Sequence, residues 1–553
     1  MKIRQLLIAL FLVIIGGNWQ YSQACTNILV TRNASADGST MISYAADSHD
    51  LFGELYYWPG QVWPAGAMLD IYEWDTGKYL GKIPQVPRTY TVIGNMNEFQ
   101  VAIAETTFGG RDELQDSTGI MDYGSLIYVA LQRSRTAREA IQVMTDLVNR
   151  YGYYSSGESF SIADPNEVWV MEMIGKGPNT RGAVWVAVKI PDGYVTAHAN
   201  QARITTFALN DKENVLYSSD VISFAREKGY FDGKNKDFSF ADAYAPLDFG
   251  ALRFCEARVW SAFRLMNPEA DKYIDYIQNG TGERMPLFIK PSKKISVRDV
   301  QNIMRDYYEG TPLSMTNDPG AGPYGKPYRW RPLTWEVDGV KYFNERAIAT
   351  QQTGFSFVAQ MRNWLPNPVG GILWFGVDDA NMSVYVPMYM GMKGIPENFA
   401  QGNGHLLEFS WSSAFWIFNW VANQAYNRYS FMIEDIRKVQ KELEDKFEAF
   451  GPAIDQTARA LHDKDPELAK AFLTEYSHNQ SRITVERWKK LGEFLMVKYL
   501  DGNVHEEKDG IFLRNPHGNP KPARFPGYSD AYYRRIVEEA GDKLRVVEIP
   551  KTE

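Results

Sequence analysis

The feature that most constrains this chain is a cysteine set directly after a stretch that reads as a removable leader. Lys2 and Arg4 give a positive start, Leu6 to Ile15 is an unbroken apolar run, and Gly16-Gly17 ends it. Ser22-Gln23-Ala24 then puts small residues at the two positions a signal peptidase reads, so cleavage after Ala24 is expected. The mature chain would begin at Cys25, with a thiol and a primary amine on the same residue. That is a nucleophile and a base with no linker between them, and it is useful only if the new terminus faces a niche of hydrogen-bond donors.

At 553 residues the chain can bury a large core. Its formal charge of -8 is small for that length and argues against nucleic-acid binding. No apolar stretch after the leader is long enough to span a bilayer. The best candidate, Ala414 to Val421, is short, is broken by Asn419, and reads as a buried helix. An exported protein, periplasmic or secreted, with no transmembrane segment in the mature chain is expected. The second cysteine, Cys255, sits beside Phe254 and reads as a buried, inert thiol. Two cysteines in an exported chain also fit a disulfide. A cysteine after a leader also fits lipidation, although Ser22 stands where that signal wants a Leu-like residue. Either alternative would make the chain a non-catalytic envelope protein.

The pattern predicts strands at Thr26–Val30 and Thr40–Ala45, then a pair at Thr89–Ile93 and Val101–Glu105 around Gly94-Asn95-Met96-Asn97. Thr136 with Glu139 has the spacing of a helix start, and Ile141, Met144, Leu147 and Val148 give the apolar face that follows. Strand pairs are predicted at Phe160–Ala163 with Val168–Ile174, and at Trp185–Ile190 with Tyr194–Ala199 around Pro191-Asp192-Gly193. Further strands follow at Phe355–Met361, Gly371–Val377 and Ser383–Val386, with helices around Arg253–Phe263 and Val297–Tyr308. Strand pairs alternating with helices suggest two packed sheets with helices outside. From about Ser410 the chain turns helical: Ile433, Ile436, Leu443, Phe447 and Phe450 repeat at helical steps, and Asp465-Pro466 marks a helix start. From Gly502 onward Pro, Gly and Asn suggest a wrapping tail.

A thiol with a reference pKa of about 8.5 can pass its proton to an α-amine of about 7.7–8.0. The amine can later hand a proton to a leaving amine. Such a site needs donors for the oxyanion, a carboxylate to orient the amine, and a cation near the sulfur. Candidates stand at turns between strands: Asp47 closes Ser43-Tyr44-Ala45-Ala46-Asp47, Asn97 lies in the Gly94–Phe99 turn, and Asn200 follows Ala197-His198-Ala199. Arg253 opens the run to Trp260. The 7 histidines are scattered and form neither an HExxH pattern nor a two-histidine helical pair. No P-loop, dinucleotide fingerprint or GxSxG elbow appears. A papain-like pairing would have to use His198 or another distant histidine. Neither a metal nor another cofactor is implied.

With Ala24-Cys25-Thr26, Asn97-Glu98, Ala104-Glu105-Thr106, Asn200 to Ile204, Ser383 to Pro387 and Ser412 to Trp416, the chain resembles the C69 dipeptidases. These are related to the secernins and to the penicillin V acylase and bile-salt hydrolase group. The resemblance implies an α+β fold, a four-layer αββα N-terminal nucleophile (Ntn) hydrolase sandwich with an added C-terminal helical region. The expected division is a leader at 1–24, the core at 25–405, helices at 406–502 and an irregular tail at 503–553. It also implies Cys25 as nucleophile with its own amine as base, Asp47 as the carboxylate on that amine, and Asn200 and Asn97 as oxyanion donors. Arg253 is the arginine expected beside the sulfur, with Arg258 as a substitute. In the acylase branch an arginine lies three residues before the aspartate; here that place holds Tyr44, and His49 stands where relatives carry a basic residue. The activity implied is hydrolysis of dipeptides or short peptides through a Cys25 thioester. The alternative is an amidase of the acylase type acting on N-acyl amides. No oligomeric state can be read from the chain.

Overall fold

The computed structural model describes residues 25–547; the expected leader lies outside them. The fold combines helices and sheets and is built on two large antiparallel sheets. The seven-stranded sheet runs in the order Phe288–Ile289, Val195–His198, Asn27–Val30, Thr40–Asp47, Thr353–Met361, Ile372–Val377, Val386–Tyr389. The eight-stranded sheet runs Val215–Tyr217, Ala183–Lys189, Val168–Gly175, Gly157–Ala163, Ala102–Gly109, Met96–Asn97, Val92–Ile93, Tyr57–Trp58.

Side-chain alternation explains the stacking. In Val168–Gly175, Trp169, Met171 and Met173 join an apolar cluster with the helices Tyr123–Arg133 and Ala137–Tyr151. Val168, Val170 and Ile174, on the opposite face, join the cluster shared with the other sheet. The predicted helical face of Ile141, Met144, Leu147 and Val148 is buried in the first of these clusters. Thr136 caps that helix, its hydroxyl accepting from the Glu139 N–H at 3.2 Å. Behind the seven-stranded sheet, Ala257–Met266 packs on Val195–His198, and Val297–Met304 packs on Thr40–Asp47 and Thr353–Met361.

The predicted pair around Pro191-Asp192-Gly193 is not a hairpin. Ala183–Lys189 stays in the eight-stranded sheet, while Val195–His198 crosses to the seven-stranded one and pairs with Asn27–Val30 in the register Asn27↔His198. Thr31 captures the crossing chain, donating its hydroxyl to Tyr194 O at 2.7 Å and accepting from Gly193 N at 3.0 Å. Likewise Met96–Asn97, expected as a turn, is a short strand inserted between Val92–Ile93 and Ala102–Gly109. A sequence period identifies a strand but does not name its partner.

A polar cluster bridges the two sheets. His198 Nδ1 lies 2.8 Å from Thr106 Oγ1 and its Nε2 lies 2.7 Å from Ser161 Oγ, which the Asn27 amide also reaches at 3.0 Å. Both ring nitrogens are thus committed, and burial, with Arg203 nearby, pushes the imidazole pKa down to about 3. His198 is therefore not available as a base for a thiol.

After the two sheets come three long helices, Ala414–Asn427, Tyr429–Lys464 and Pro466–Lys498. Ile433, Ile436, Leu443 and Phe447 are buried as their spacing suggests, whereas Phe450 is exposed. Asp465 caps the last of these helices by accepting from Glu467 N at 2.9 Å. The tail is less irregular than expected, with a small hairpin of Glu507–Lys508 and Ile511–Phe512 and a helix at Asp530–Ala540. Among the described residues no helix is long and apolar enough to cross a membrane.

The buried imidazole yields a prediction. Below its ordinary value of 6.5, the unfolded chain binds a proton at His198 that the folded chain refuses down to about 3. This contribution to stability is complete above pH 6.5 and is lost as pH falls. Urea unfolding at pH 7 and pH 5 should show a loss about 2 kcal/mol larger in the native chain than in His198→Gln. Equal losses would mean that the imidazole is not held neutral.

Candidate active site

Cys25 lies two residues before Asn27–Val30, a strand in the interior of its sheet, and is 2% exposed. The register that pairs Asn27 with His198, extended by two residues, sets Cys25 opposite Asn200. On the other side Thr26 bridges to Ala45, which brings the end of Thr40–Asp47 alongside. Cys25, Tyr44, Asp47, Glu158, Asn200 and Cys255 all line a cavity of about 660 Å³.

Arg258 ties this corner together. Its guanidinium donates to Cys25 O at 2.5 Å, Thr26 Oγ1 at 2.8 Å, Asn200 Oδ1 at 2.8 Å and Ala199 O at 3.3 Å, while its Nε donates to Phe254 O at 2.6 Å. A guanidinium suits this place because its fork offers five donors in fixed directions. A π-helical turn at Ala251–Glu256 precedes the helix that carries it.

Asn200 sits at φ 57, a left-handed backbone that asparagine tolerates better than most residues. Its Nδ2 donates to Thr107 O at 2.7 Å. The residues after it are pinned in place. Glu172 accepts from Arg203 N at 2.5 Å and Ile204 N at 3.0 Å, Gln201 donates to Ala245 O at 2.7 Å, and Arg203 pairs with Glu256 at 2.8 Å. Asp47 is fully buried, accepting from Arg346 at 2.5 Å and from the Thr353 hydroxyl at 2.6 Å. Burial raises its carboxyl above the usual range, although Arg346, Thr353 and Arg258 pull the other way.

The sulfur has acidic company. Cys25 Sγ lies 3.6 Å from Glu105 Oε1 and 3.8 Å from the Tyr44 hydroxyl, which donates to the same Glu105 oxygen at 2.5 Å. Burial first, then the Glu105 and Asp47 carboxylates, push the thiol well above its ordinary value. The sulfur is therefore held as a thiol and needs a base to attack. Among the described residues no group of three or more His, Cys, Asp or Glu is arranged to hold a metal ion.

The family model of peptidase family C69 matches residues 24–58 and 54–442, which takes in this corner and both large sheets. The chain belongs to peptidase family C69. It is 27% identical over 392 residues to a probable dipeptidase of Salmonella dublin, covering 67% of this chain and 82% of that protein. To a probable dipeptidase of Latilactobacillus sakei it is 26% identical over 484 residues, 82% of this chain and 91% of the relative. To dipeptidase A of Lactobacillus helveticus it is 22% identical over 475 residues, 80% and 88%.

Within this C69 chain, the structure brings together Cys25, Asp47 and Asn200 but neither Asn97 nor Arg253 lines the cavity. Asn97 has a different task. Its Nδ2 donates to Leu131 O at 2.7 Å and Ser134 O at 2.8 Å, its Oδ1 accepts from Phe99 N and Val101 N, and its own N–H is spent on Val101 O. It ties a strand turn to the end of a helix and has no donor left for an oxyanion. Arg253 is paired with Glu345, and Arg258, the substitute, is the arginine that reaches Cys25. Cys255 is not fully buried; it opens onto the same cavity and is not bonded to Cys25.

Sequence reading gave no role to Glu105, Glu158 or Arg346. A signal for Glu105 was present, since Val101-Ala102-Ile103-Ala104-Glu105 places a carboxylate in an otherwise apolar strand. Such a group is retained only where its burial is compensated. Arg346 had no signal, being 299 residues from Asp47 in sequence.

Replacing Asn97 by Ala strands two buried carbonyls and two N–H groups. Asn97→Ala should lower the unfolding free energy by about 3 kcal/mol in urea titration. The fraction that stays folded should keep its specific activity; a large loss of activity per folded molecule would reassign Asn97 to the chemistry.

Proposed function

We propose that this chain is an exported cysteine dipeptidase of the αββα Ntn class, hydrolysing short peptides through a thioester on Cys25. The observation that carries the reading is the position of Cys25. Its carbonyl is clamped by Arg258, its sulfur stands at a cavity of about 660 Å³, roomy enough for a dipeptide, and Asn200 is linked to it through the same guanidinium. The match to peptidase family C69 and the names of the relatives support dipeptides as substrates. The two facing sheets with helices on their outer sides support the layered architecture. The leader-like residues from Lys2 to Ala24 support export.

In this mechanism the freed α-amine of Cys25 takes the thiol proton and the sulfur attacks the scissile carbonyl. Asn200 stabilises the oxyanion that forms. The intermediate collapses, the ammonium of Cys25 gives its proton to the departing amine, and a thioester remains. Water, deprotonated by the same amine, then releases the acyl group and restores the thiol. Asp47, fixed by Arg346 and Thr353, is assigned to orienting the amine, and Arg258 to positioning Cys25 and Asn200. While residues 1–24 remain attached, the nitrogen of Cys25 is an amide and cannot serve as base, so the precursor is inactive.

Intact mass and N-terminal sequencing of the exported protein should show a free Cys25 terminus. A diacylglyceryl adduct, or a mass two units light, would support an envelope-protein role instead. Cys25→Ala should lose at least about 10⁴-fold in kcat while unfolding like the parent. On a panel of dipeptides, glycocholate and penicillin V, dipeptides should be turned over fastest. Full activity in Cys25→Ala, or turnover of the N-acyl amides alone, would end the dipeptidase reading.

A further inference from the structure

The cavity beside Cys25 is lined by carboxylates. Glu73, Asp75 and Glu158 stand on its wall together with Asp47 and Asp50, and neither lysine nor arginine is among its lining residues. One of these wall carboxylates, Glu158, and Glu105, which stands on the neighbouring strand outside the lining, are unusual. Glu105 and Glu158 are 0% and 1% exposed, and the Oε2 atom of each is buried and receives no donor from any other residue. Their Oε1 atoms are accounted for, Glu105 by the Tyr44 hydroxyl and Glu158 by the Thr107 hydroxyl at 2.7 Å. Burial raises both carboxyls, and each further perturbs the other, so the pair holds a proton between them when the cavity is empty. A buried pair left with one negative charge, on the wall of a cavity whose lining holds neither lysine nor arginine, calls for a cation brought by the ligand.

The distances say which donor. In a peptide, the α-nitrogen of a residue is about 2.5 Å from its own carbonyl carbon. A thiol poised for attack lies about 3–3.5 Å from that carbon. An ammonium on the residue under attack must therefore sit within a few ångströms of the sulfur, and Glu105 Oε1 is 3.6 Å from it. Glu158 extends the same acidic surface into the cavity. A substrate acylated on nitrogen brings no cation here and would cover a carboxylate with nothing to neutralise it, a costly burial.

We infer that Glu158, backed by Glu105, is the receptor for the free α-ammonium of the substrate, so that the carbonyl presented to Cys25 is that of the N-terminal residue. This rests on the dipeptidase reading above and deepens it. It makes the site select a free amino terminus and release a single N-terminal residue as the acyl group, whatever the side chain. An arriving ammonium takes the place of the shared proton, which leaves with solvent, and the pair then carries the ionised carboxylates that match the new cation.

The test uses the processed full chain with Ala-Ala and N-acetyl-Ala-Ala. Native protein should prefer the free dipeptide, and Glu158→Gln should shrink the ratio of the two kcat/KM values by about 10- to 150-fold, the range for one charged hydrogen bond. Equal loss on both substrates, or no preference in the native protein, would overturn the assignment. A second measurement needs neither turnover nor a variant: the rate of Cys25 alkylation by iodoacetamide. L-alaninol, which has the amine but no scissile carbonyl, should slow alkylation in the native protein, and N-acetyl-L-alaninol should not. Protection without any peptide turnover would keep the ammonium seat and remove the dipeptidase reading. Equal effects of the two ligands would remove the ammonium seat even if dipeptides are hydrolysed.

Discussion

The clamp of Arg258 on the start of the first described strand is the interaction on which the candidate site depends. A buried guanidinium is costly to desolvate, and here that cost is offset by acceptors on each of its donating nitrogens: three carbonyls, a hydroxyl and an amide oxygen. Through those contacts one side chain fixes the carbonyl of Cys25, the hydroxyl of Thr26 and the orientation of Asn200. A chain terminus is ordinarily frayed. The segment that begins at Cys25 is held on both sides by sheet neighbours and from behind by a cation, as the proposed nucleophile at a new terminus would require.

Charge is divided around the sulfur. On one side Arg258 and Arg346 accompany Asp47 and hold it deep in the seven-stranded sheet. On the other, Glu105 and Glu158 come from neighbouring strands of the eight-stranded sheet, with the Tyr44 and Thr107 hydroxyls and the Cys25 thiol beside them. The thiol between them is kept protonated by burial and by the carboxylates. Nothing in the described site replaces the amine that removal of the leader would create, so cleavage and activation are the same event in the proposed mechanism.

The polar groups farther from the cavity do a different kind of work. His198 and Asn97 each satisfy several buried partners and leave no atom for chemistry. Both stand in stretches that look catalytic in a linear reading, a histidine beside a candidate asparagine and an asparagine in a strand turn. Residue type is therefore a poor guide to role when the same donors and acceptors that make a residue reactive also make it a good tether.

The sequence by itself determined the strands around Cys25, the helix faces at Ile141–Val148 and Ile433–Phe447, and the helical C-terminal region. Each of these is written in local order: a period of two, a period of three to four. Tertiary structure decided the rest. It sent Val195–His198 across to the other sheet, and through the register Asn27↔His198 set Asn200 opposite Cys25. It chose Arg258 over Arg253, delivered Arg346 to Asp47, and gathered Glu105 with Glu158 beside the sulfur. Local spacing records which way a side chain points within its own element, whereas convergence depends on which strand lies next to which and in what register. That information is distributed over the whole core, so it becomes visible only when the core is assembled.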